Sequence, residues 1–108
     1  MTDFAAIRSQ FPIFDQEIHG HPLVYLDSAA TSQKPQCVID AESDFYRTIN
    51  AGVHRGAHEL AARSTMAFED ARAKVAKLVG ADSAEGEEEI VVTAGATAGL
   101  NLLATAFG

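Results

Sequence analysis

Apolar residues recur every three to four positions in four segments of the chain, which is the spacing that one face of a helix requires. The first segment has Thr2 or Asp3 as a candidate cap, and Phe11-Pro12 ends it. The third stops at Gly80, a residue type common at helix C-termini. The predicted helices are Thr2–Gln10, Pro35 to about Asn50, Ala57 or His58 to Gly80, and Leu100–Phe107.

Two shorter apolar runs are typical of strands. Pro22–Asp27 follows the turn His19-Gly20-His21-Pro22, and Ile90–Val92 is a continuous β-branched run, as expected of a strand buried on both faces of a parallel sheet. The order helix, strand, helix, helix, strand, helix predicts an α/β fold. Because only two strands are visible and the last helix has no stop signal, we expect the chain to be the amino-terminal piece of a larger protein.

The composition narrows the class of protein. The chain has 108 residues, 47% of them apolar, and 15 acidic against 8 basic side chains, with a net charge of −7. Clustered Lys and Arg, which nucleic acid or anionic lipid would require, are missing, and no stretch approaches a membrane span or a secretory leader. We predict a cytoplasmic protein without nucleic-acid or membrane partners, in which the single Cys37 is a packing residue.

The stretch Thr93–Asn101, "TAGATAGLN", joins the second predicted strand to the last helix through a corner of small residues. A helix start exposes unpaired amides that favour an anion by about 0.3–2 kcal/mol, and the Thr97 hydroxyl adds a donor there. Alternatively, Gly95 makes a turn, Thr97 caps the helix and Gly99 permits close packing. The spacing fits neither a P-loop nor a dinucleotide fingerprint. From this stretch alone both interpretations stay open.

The segment "VHRGAH", residues 53–58, contributes further candidates. Arg55 can hold a carboxylate or phosphate through two parallel hydrogen bonds, or it can form a structural ion pair with Glu59. His54 and His58 are four apart, but Arg55 stands where the zincin pattern has a glutamate, so no metal site is predicted.

Three segments, "YLDSAATSQKP", "VHRGAH" and "GATAGLN", resemble in order and spacing the amino-terminal region of SUF-type cysteine desulfurases, which belong to the class V aminotransferase family. The resemblance extends from about Phe4 to Gly108. It implies the α/β start of a pyridoxal-phosphate-dependent transferase of fold type I, whose large domain has a mostly parallel sheet. Residues 1–34 would then be an N-terminal arm and small-domain segment, and residues 35–108 the first part of the large cofactor-binding domain, in a homodimer.

The resemblance also implies an activity: sulfur is taken from L-cysteine, leaving L-alanine and an enzyme persulfide that a sulfur-acceptor protein receives for iron–sulfur cluster assembly. The cofactor is pyridoxal 5′-phosphate. Ala96 and Thr97 match the positions that hold its phosphate. The positions that line the substrate side of the pocket are Ala29, Ala30, His54 and Arg55. No catalytic residue is expected here, since the family's Schiff-base lysine and persulfide cysteine come later, and this chain alone is expected to be inactive.

Two alternatives to a cysteine desulfurase remain at this point. A selenocysteine lyase or another class V aminotransferase shares the same start, and Ala98 stands where relatives often carry a glutamate. A truncated, non-catalytic protein that keeps a dimerisation or interaction surface differs in kind. A reading frame that continues past Gly108 to a pocket lysine and a mobile-loop cysteine would favour the enzyme.

Overall fold

The computed structural model describes residues 1–81 and 89–108, and the chain divides into two compact units, residues 1–50 and 51–108. The first unit contains helix α1, a 3-10 turn, strands β1 and β2, and helix α2; the second contains helices α3 and α4. The bounds are α1 Phe4–Arg8, the 3-10 turn Pro12–Asp15, β1 Glu17–Ile18, β2 His21–Pro22, α2 Gln36–Thr48, α3 Glu59–Val79 and α4 Ala96–Phe107.

Helix α1 begins where a side chain satisfies its first amides. Asp3 Oδ1 accepts hydrogen bonds from the backbone N–H of Ala5 at 3.0 Å and of Ala6 at 3.1 Å. Of the two predicted caps, Asp3 is therefore the one used, in keeping with the preference of N-caps for short acceptor side chains.

Strands β1 and β2 form an antiparallel hairpin in which Glu17 pairs with Pro22 and Ile18 with His21. Positive φ values at His19 (55°) and Gly20 (77°) match the two-residue turn that suits the twist of a hairpin. The predicted strand Pro22–Asp27 is wrong beyond Pro22. After one more backbone hydrogen bond, from Leu23 N to Gln16 O at 3.2 Å, β1 offers no further partner.

Long-range contacts of Arg8 and Gln36 tie the first unit together. The Arg8 guanidinium donates to Leu23 O at 2.8 Å and lies 4.3 Å from the centre of the Phe14 ring, a cation–π distance. Gln36 N donates to Gln10 O at 2.7 Å, which fixes the start of α2 beside the end of α1. Cys37 in the first turn of α2 is exposed, so its interpretation as a packing residue is wrong.

Helix α3 has the predicted bounds, from the cap at His58 to Gly80, which ends it in the left-handed conformation (φ 81°). Within the described ranges, the buried residues are Ala61, Ser64 and Ala76, all on α3. Of the apolar residues whose spacing predicts this helix, Leu60 is 39% and Val75 44% exposed. The Ser64 hydroxyl donates to Ala51 O at 3.0 Å, so this face of α3 binds a loop through polar contacts.

The predicted strand Ile90–Val92 is not formed. In residues 1–81 and 89–108 the only paired strands are β1 and β2, and Val91 and Val92 are 65% and 62% exposed. A strand needs neighbours to pair its backbone, and the described residues supply none here. The mostly parallel sheet of the predicted α/β fold is therefore not seen in these ranges. No described helix is both long enough and apolar enough to cross a membrane.

The exposed apolar faces lead to a stability prediction for the isolated 108-residue chain. Leu100, Leu103 and Phe107 of α4 are 66%, 54% and 86% exposed, so burial contributes little to holding this helix in place. We expect a broad, weakly cooperative unfolding curve, measured by circular dichroism in urea. A sharp two-state transition of a monomer, with the denaturant dependence of a compact domain this size, would contradict this expectation.

Candidate functional site

In the first unit, Ala29 and Ala30 lie in an exposed turn that the side chain of Tyr25 braces. The Tyr25 hydroxyl oxygen is 2.6 Å from Asp27 O and 2.8 Å from Thr31 O, so its single proton is donated to one carbonyl or the other. These carbonyls stand on either side of the turn. Tyr25 thus holds the two alanines at the tip of a braced loop with no bulky side chain over them.

In the second unit, His54 has a positive φ of 55°, which is uncommon for a residue with a side chain. Its backbone N–H donates to Thr65 Oγ1 of α3 at 3.0 Å. Its ring lies edge-on to Phe68, with centroids 6.2 Å apart and planes at 89°. Two successive turns of α3 therefore hold the loop at His54, although the residue itself is exposed.

The His54 imidazole also meets a carboxylate on α3. Nε2 lies 2.7 Å from Glu69 Oε1, where the ring N–H donates to the carboxylate, and Glu69 Oε2 accepts from Arg72 Nη1 at 2.9 Å. The hydrogen bond from His54, assisted by the charge and the hydrogen bond of Arg72, lowers the pKa of Glu69 although partial burial opposes this. The Glu69 side chain is 29% exposed. Because its pKa is lowered, Glu69 is an ionised carboxylate near neutral pH, held between two donors.

Arg72 extends this network to the segment before the corner. Its Nε and Nη2 both donate to the carbonyl oxygen of Ile90, at 3.2 and 3.0 Å. The guanidinium therefore joins a carboxylate on its own helix to a backbone carbonyl 18 positions away. Through Glu69 and Arg72, α3 contacts both the "VHRGAH" loop and the run that leads to "GATAGLN".

Arg55 follows His54 and is exposed. Its backbone N–H closes a turn onto Gly52 O at 3.3 Å. The alternative ion pair with Glu59 is not formed, because Glu59 Oε1 instead pairs with Arg63 Nε at 2.8 Å. Among the residues that the structure describes, no acidic side chain lies within ion-pair distance of the Arg55 guanidinium, which leaves it open to an anionic ligand.

His58 serves α3 rather than a ligand. Its Nδ1 accepts from Ala61 N at 3.3 Å, which caps the helix. The cap depends on Gly56, since a side chain there would come 2.7 Å from Ala61 Cβ and 3.0 Å from His58 Nε2. His54 and His58 thus have separate partners, one on Glu69 and one on the start of α3. A histidine cap is unusual, and sequence reasoning did not foresee it.

The corner places Ala96 and Thr97 in the first turn of α4. Gly95, with φ 96° and ψ 173°, is the N-cap residue in a conformation that favours glycine, and no side chain caps the helix. Thr97 is exposed and, in the described part of the chain, its hydroxyl is not hydrogen-bonded, so the alternative in which it caps the helix is wrong. A methyl group at Gly99 would lie 3.5 Å from Thr93 Oγ1, an ordinary contact distance, so packing there does not demand a glycine.

The chemistry of this corner fits a phosphate. The first backbone hydrogen bond of α4 runs from Gly99 N to Gly95 O at 3.2 Å, so the amides of Ala96 and Thr97 precede it. Thr93 Oγ1 donates to Gly95 O at 3.1 Å, which fixes the carbonyl side of the turn away from these amides. Two amides and one hydroxyl at the positive end of a helix form a donor set suited to a phosphate.

The structure therefore places the six residues expected from the sequence in two units. Ala29 and Ala30 belong to the first, whereas His54, Arg55, Ala96 and Thr97 belong to the second. Sequence reasoning missed Tyr25, Glu69 and Arg72 as supporting residues. The sequence carries a signal for Glu69 and Arg72. They are an acid and an arginine three residues apart, a spacing at which they can pair on a helix, and they stand next to the apolar Phe68.

Comparison with known proteins identifies the class. The family model described as "Aminotransferase class-V" matches residues 24–108, which is most of the chain, so the chain belongs to this family. Membership implies the fold type I of pyridoxal-phosphate enzymes, and proteins of this class generally depend on that cofactor. The recognition made from the three segments is thereby confirmed.

Curated relatives carry a more specific name. The chain is 54% identical over 107 residues to a probable cysteine desulfurase of Vibrio cholerae and 53% identical over 104 residues to one of Synechocystis. It is 53% identical over 102 residues to a cysteine desulfurase of Serratia proteamaculans. These matches cover 99%, 96% and 94% of this chain but 26%, 24% and 24% of the relatives. The chain thus spans about a quarter of their length.

The lowered pKa of Glu69 predicts a pH-dependent contribution to stability. Because the folded pKa lies below that of the unfolded chain, the contribution is complete above about pH 4.3, the ordinary value for glutamate. It is lost as the pH falls through the lower folded pKa. We therefore expect Glu69→Gln to reduce the free energy of unfolding near neutral pH, and this deficit to shrink as the medium is acidified below about pH 4.

Urea unfolding of the full-length parent protein and of its Glu69→Gln variant across this pH range measures the deficit. Glu59→Gln is the matched control, since it removes an acid of the same helix from an ion pair whose two side chains are 76% and 60% exposed. A deficit at Glu69 that does not change with pH would show that charge plays no part in it.

Proposed function

We propose that this chain is the amino-terminal part of a pyridoxal-phosphate-dependent cysteine desulfurase, which takes sulfur from L-cysteine and leaves L-alanine and an enzyme persulfide. The uncapped N-terminus of α4, with the free hydroxyl of Thr97, carries the proposal, because it is a built anion seat in a chain about half identical to proteins of that name. The rest of the full-length protein would supply the lysine and cysteine that the chemistry needs.

Ala96 and Thr97 hold the cofactor phosphate in this proposal. The Ala96 amide and the Thr97 hydroxyl donate to phosphate oxygens, and the helix dipole adds a favourable field at low cost in reorganisation. When bound, the cofactor supplies an electron sink for the carbanion that forms next to the substrate amine. The protein's own contribution at this end is to fix the phosphate, and with it the position of the rest of the molecule.

The family resemblance assigns Arg55, His54, Ala29 and Ala30 to the substrate side in this proposal. The open Arg55 guanidinium binds the carboxylate of L-cysteine in two-pronged geometry, which a lysine would not reproduce. The small side chains of Ala29 and Ala30 leave room for the substrate, and the braced turn around them keeps that room constant. His54 sets the backbone direction from which Arg55 projects.

The remaining features of the proposal follow from the family. The working unit is a cytoplasmic homodimer, and its persulfide passes to a sulfur-acceptor protein that serves iron–sulfur cluster assembly. The decisive measurement uses the full-length protein: alanine release from L-cysteine, together with the visible absorbance of bound cofactor. Absence of both would refute the proposal, whereas alanine release from L-selenocysteine alone would favour a selenocysteine lyase.

Thr97 gives the first test of the phosphate seat. In the full-length protein Thr97→Ala removes one charge-assisted hydrogen bond, worth about 1.5–3 kcal/mol, so we expect cofactor affinity to fall by about 10- to 100-fold. Thr97→Ser keeps the hydroxyl and is the matched control, expected to stay within a few-fold of the parent. The dissociation constant is measured by titrating cofactor into the apoprotein. Equal affinities for the alanine and serine variants would remove Thr97 from the site.

Arg55 gives a test of the substrate side. Arg55→Gln should raise KM for L-cysteine by at least about tenfold, because the substrate carboxylate loses a charged, two-pronged partner. Arg63→Gln is the control, since Arg63 is an exposed arginine of α3 paired with Glu59. Steady-state alanine release gives both constants. A KM for Arg55→Gln no higher than that for Arg63→Gln would assign Arg55 to another role.

A further inference from the structure

One carboxylate, that of Glu69, connects the two segments that carry the proposed binding residues. Its Oε1 receives the His54 ring and its Oε2 receives Arg72, whose other nitrogens hold the Ile90 carbonyl. The hydrogen-bond network that joins His54 to Ile90 thus passes through two side chains of a single helix. Each link is a hydrogen bond to a charged group, the stronger kind in proteins.

The His54 end of this network holds a strained backbone. His19 has the same φ of 55°, but it lies in a hairpin turn that requires this conformation. His54 is the third residue of the turn that the Arg55 N–H closes onto Gly52 O, a position at which some turns require a positive φ but favour glycine or asparagine. Because His54 has a full side chain, its surroundings must help to hold this conformation. Three contacts do so: the hydrogen bond from the His54 backbone N–H to Thr65 Oγ1, the edge-on packing of the His54 ring against Phe68, and the hydrogen bond from the His54 ring to Glu69.

The backbone conformation of His54 affects the next residue, Arg55. A change of φ at His54 from positive to negative reverses the local chain direction and with it the direction in which the Arg55 side chain leaves the backbone. At the other end, Arg72 holds the carbonyl of Ile90, five positions before Gly95. An ionised Glu69 therefore constrains the approach of both Arg55 and the corner at Ala96 and Thr97.

We propose that Glu69 is a positioning residue of the substrate site: it holds His54 in its left-handed conformation and thereby orients Arg55 towards the substrate carboxylate, while through Arg72 it fixes the segment that leads to the phosphate seat. This inference rests on the proposed function for the identity of the ligand. It adds a role for a residue that touches neither substrate nor cofactor.

The test uses the full-length protein and Glu69→Gln, which keeps size and shape but offers one acceptor oxygen in place of two. We expect KM for L-cysteine to rise about tenfold with a smaller change in kcat, within the range of measured couplings between contacting residues. In an Arg55→Gln background the same substitution should add little, because the group that it orients is already gone. Glu59→Gln on the same helix should change neither constant.

A second readout does not depend on activity. Hydrogen–deuterium exchange of the peptide that spans residues 51–58 should quicken in Glu69→Gln, since the His54 amide is protected by its bond to Thr65. His54→Ala should reproduce the rise in KM, because it removes the imidazole that Glu69 holds, and alanine does not favour a positive φ. This variant also serves if Glu69→Gln folds poorly.

The outcomes separate the two proposals. If the parent protein releases no alanine from L-cysteine, the proposed function fails and the substrate-orienting role fails with it, whereas the exchange measurement still decides whether Glu69 holds the loop. If the parent is active but Glu69→Gln leaves KM and exchange unchanged, the positioning role is overturned. It is also overturned if the effects of Glu69→Gln and Arg55→Gln on KM simply multiply.

Discussion

The second unit depends on the hydrogen-bonded pair of Glu69 and Arg72, through which α3 holds both neighbouring segments: Glu69 accepts from His54, and Arg72 donates to the carbonyl of Ile90. A carboxylate held between an imidazole and a guanidinium stays ionised, and an ionised acceptor binds its donors more tightly and at more constant geometry than a neutral one. The loop at His54 and the run at Ile90 both lack a sheet within the described ranges. Side-chain hydrogen bonds here take the place that strand pairing has in a complete α/β domain.

This arrangement also explains the distribution of buried and exposed residues. The buried positions Ala61, Ser64 and Ala76 lie on the face of α3 that meets the loop and the following segment, where small side chains allow close approach. The larger apolar residues of α3 and α4 remain exposed. In the three relatives described above, which are about four times as long as this chain, such faces are where further layers of the fold would pack.

Local signals predicted α1, α2 and α3 well, whereas α4 begins at Ala96, four residues before the predicted start at Leu100. Asp3, Pro35 and Gly80 act through neighbours within four residues, so the sequence alone locates the ends of α1, α2 and α3 to within two residues. The strand predictions were wrong because strand pairing depends on partners far along the chain. Ile90–Val92 has the composition of a buried strand but no neighbour within the described residues, and Pro22–Asp27 outruns the two-residue β1.

The candidate site divides in the same way. Arg55, Ala96 and Thr97 were identified by resemblance to a family, and the geometry then removed the competing interpretations of Arg55 and Thr97. Glu69 and Arg72 were missed because their partners lie 15 and 18 positions away, a separation at which no periodicity or cap signal operates. Their spacing of three predicts a pair on one helix face, but their partners His54 and Ile90 become visible only once the chain is folded.

The bare N-terminus of α4 has a consequence for the life of the protein before it binds its cofactor. A helix start with no capping side chain frays, so without an anion the first turn at Ala96 and Thr97 is the weak end of α4. Under the proposed function the phosphate completes the helix as a capping side chain would, and ligand binding adds to the stability of the fold. Newly made protein would then be more open to proteases at this corner before the cofactor binds, and cofactor supply would help to set how much of the protein survives.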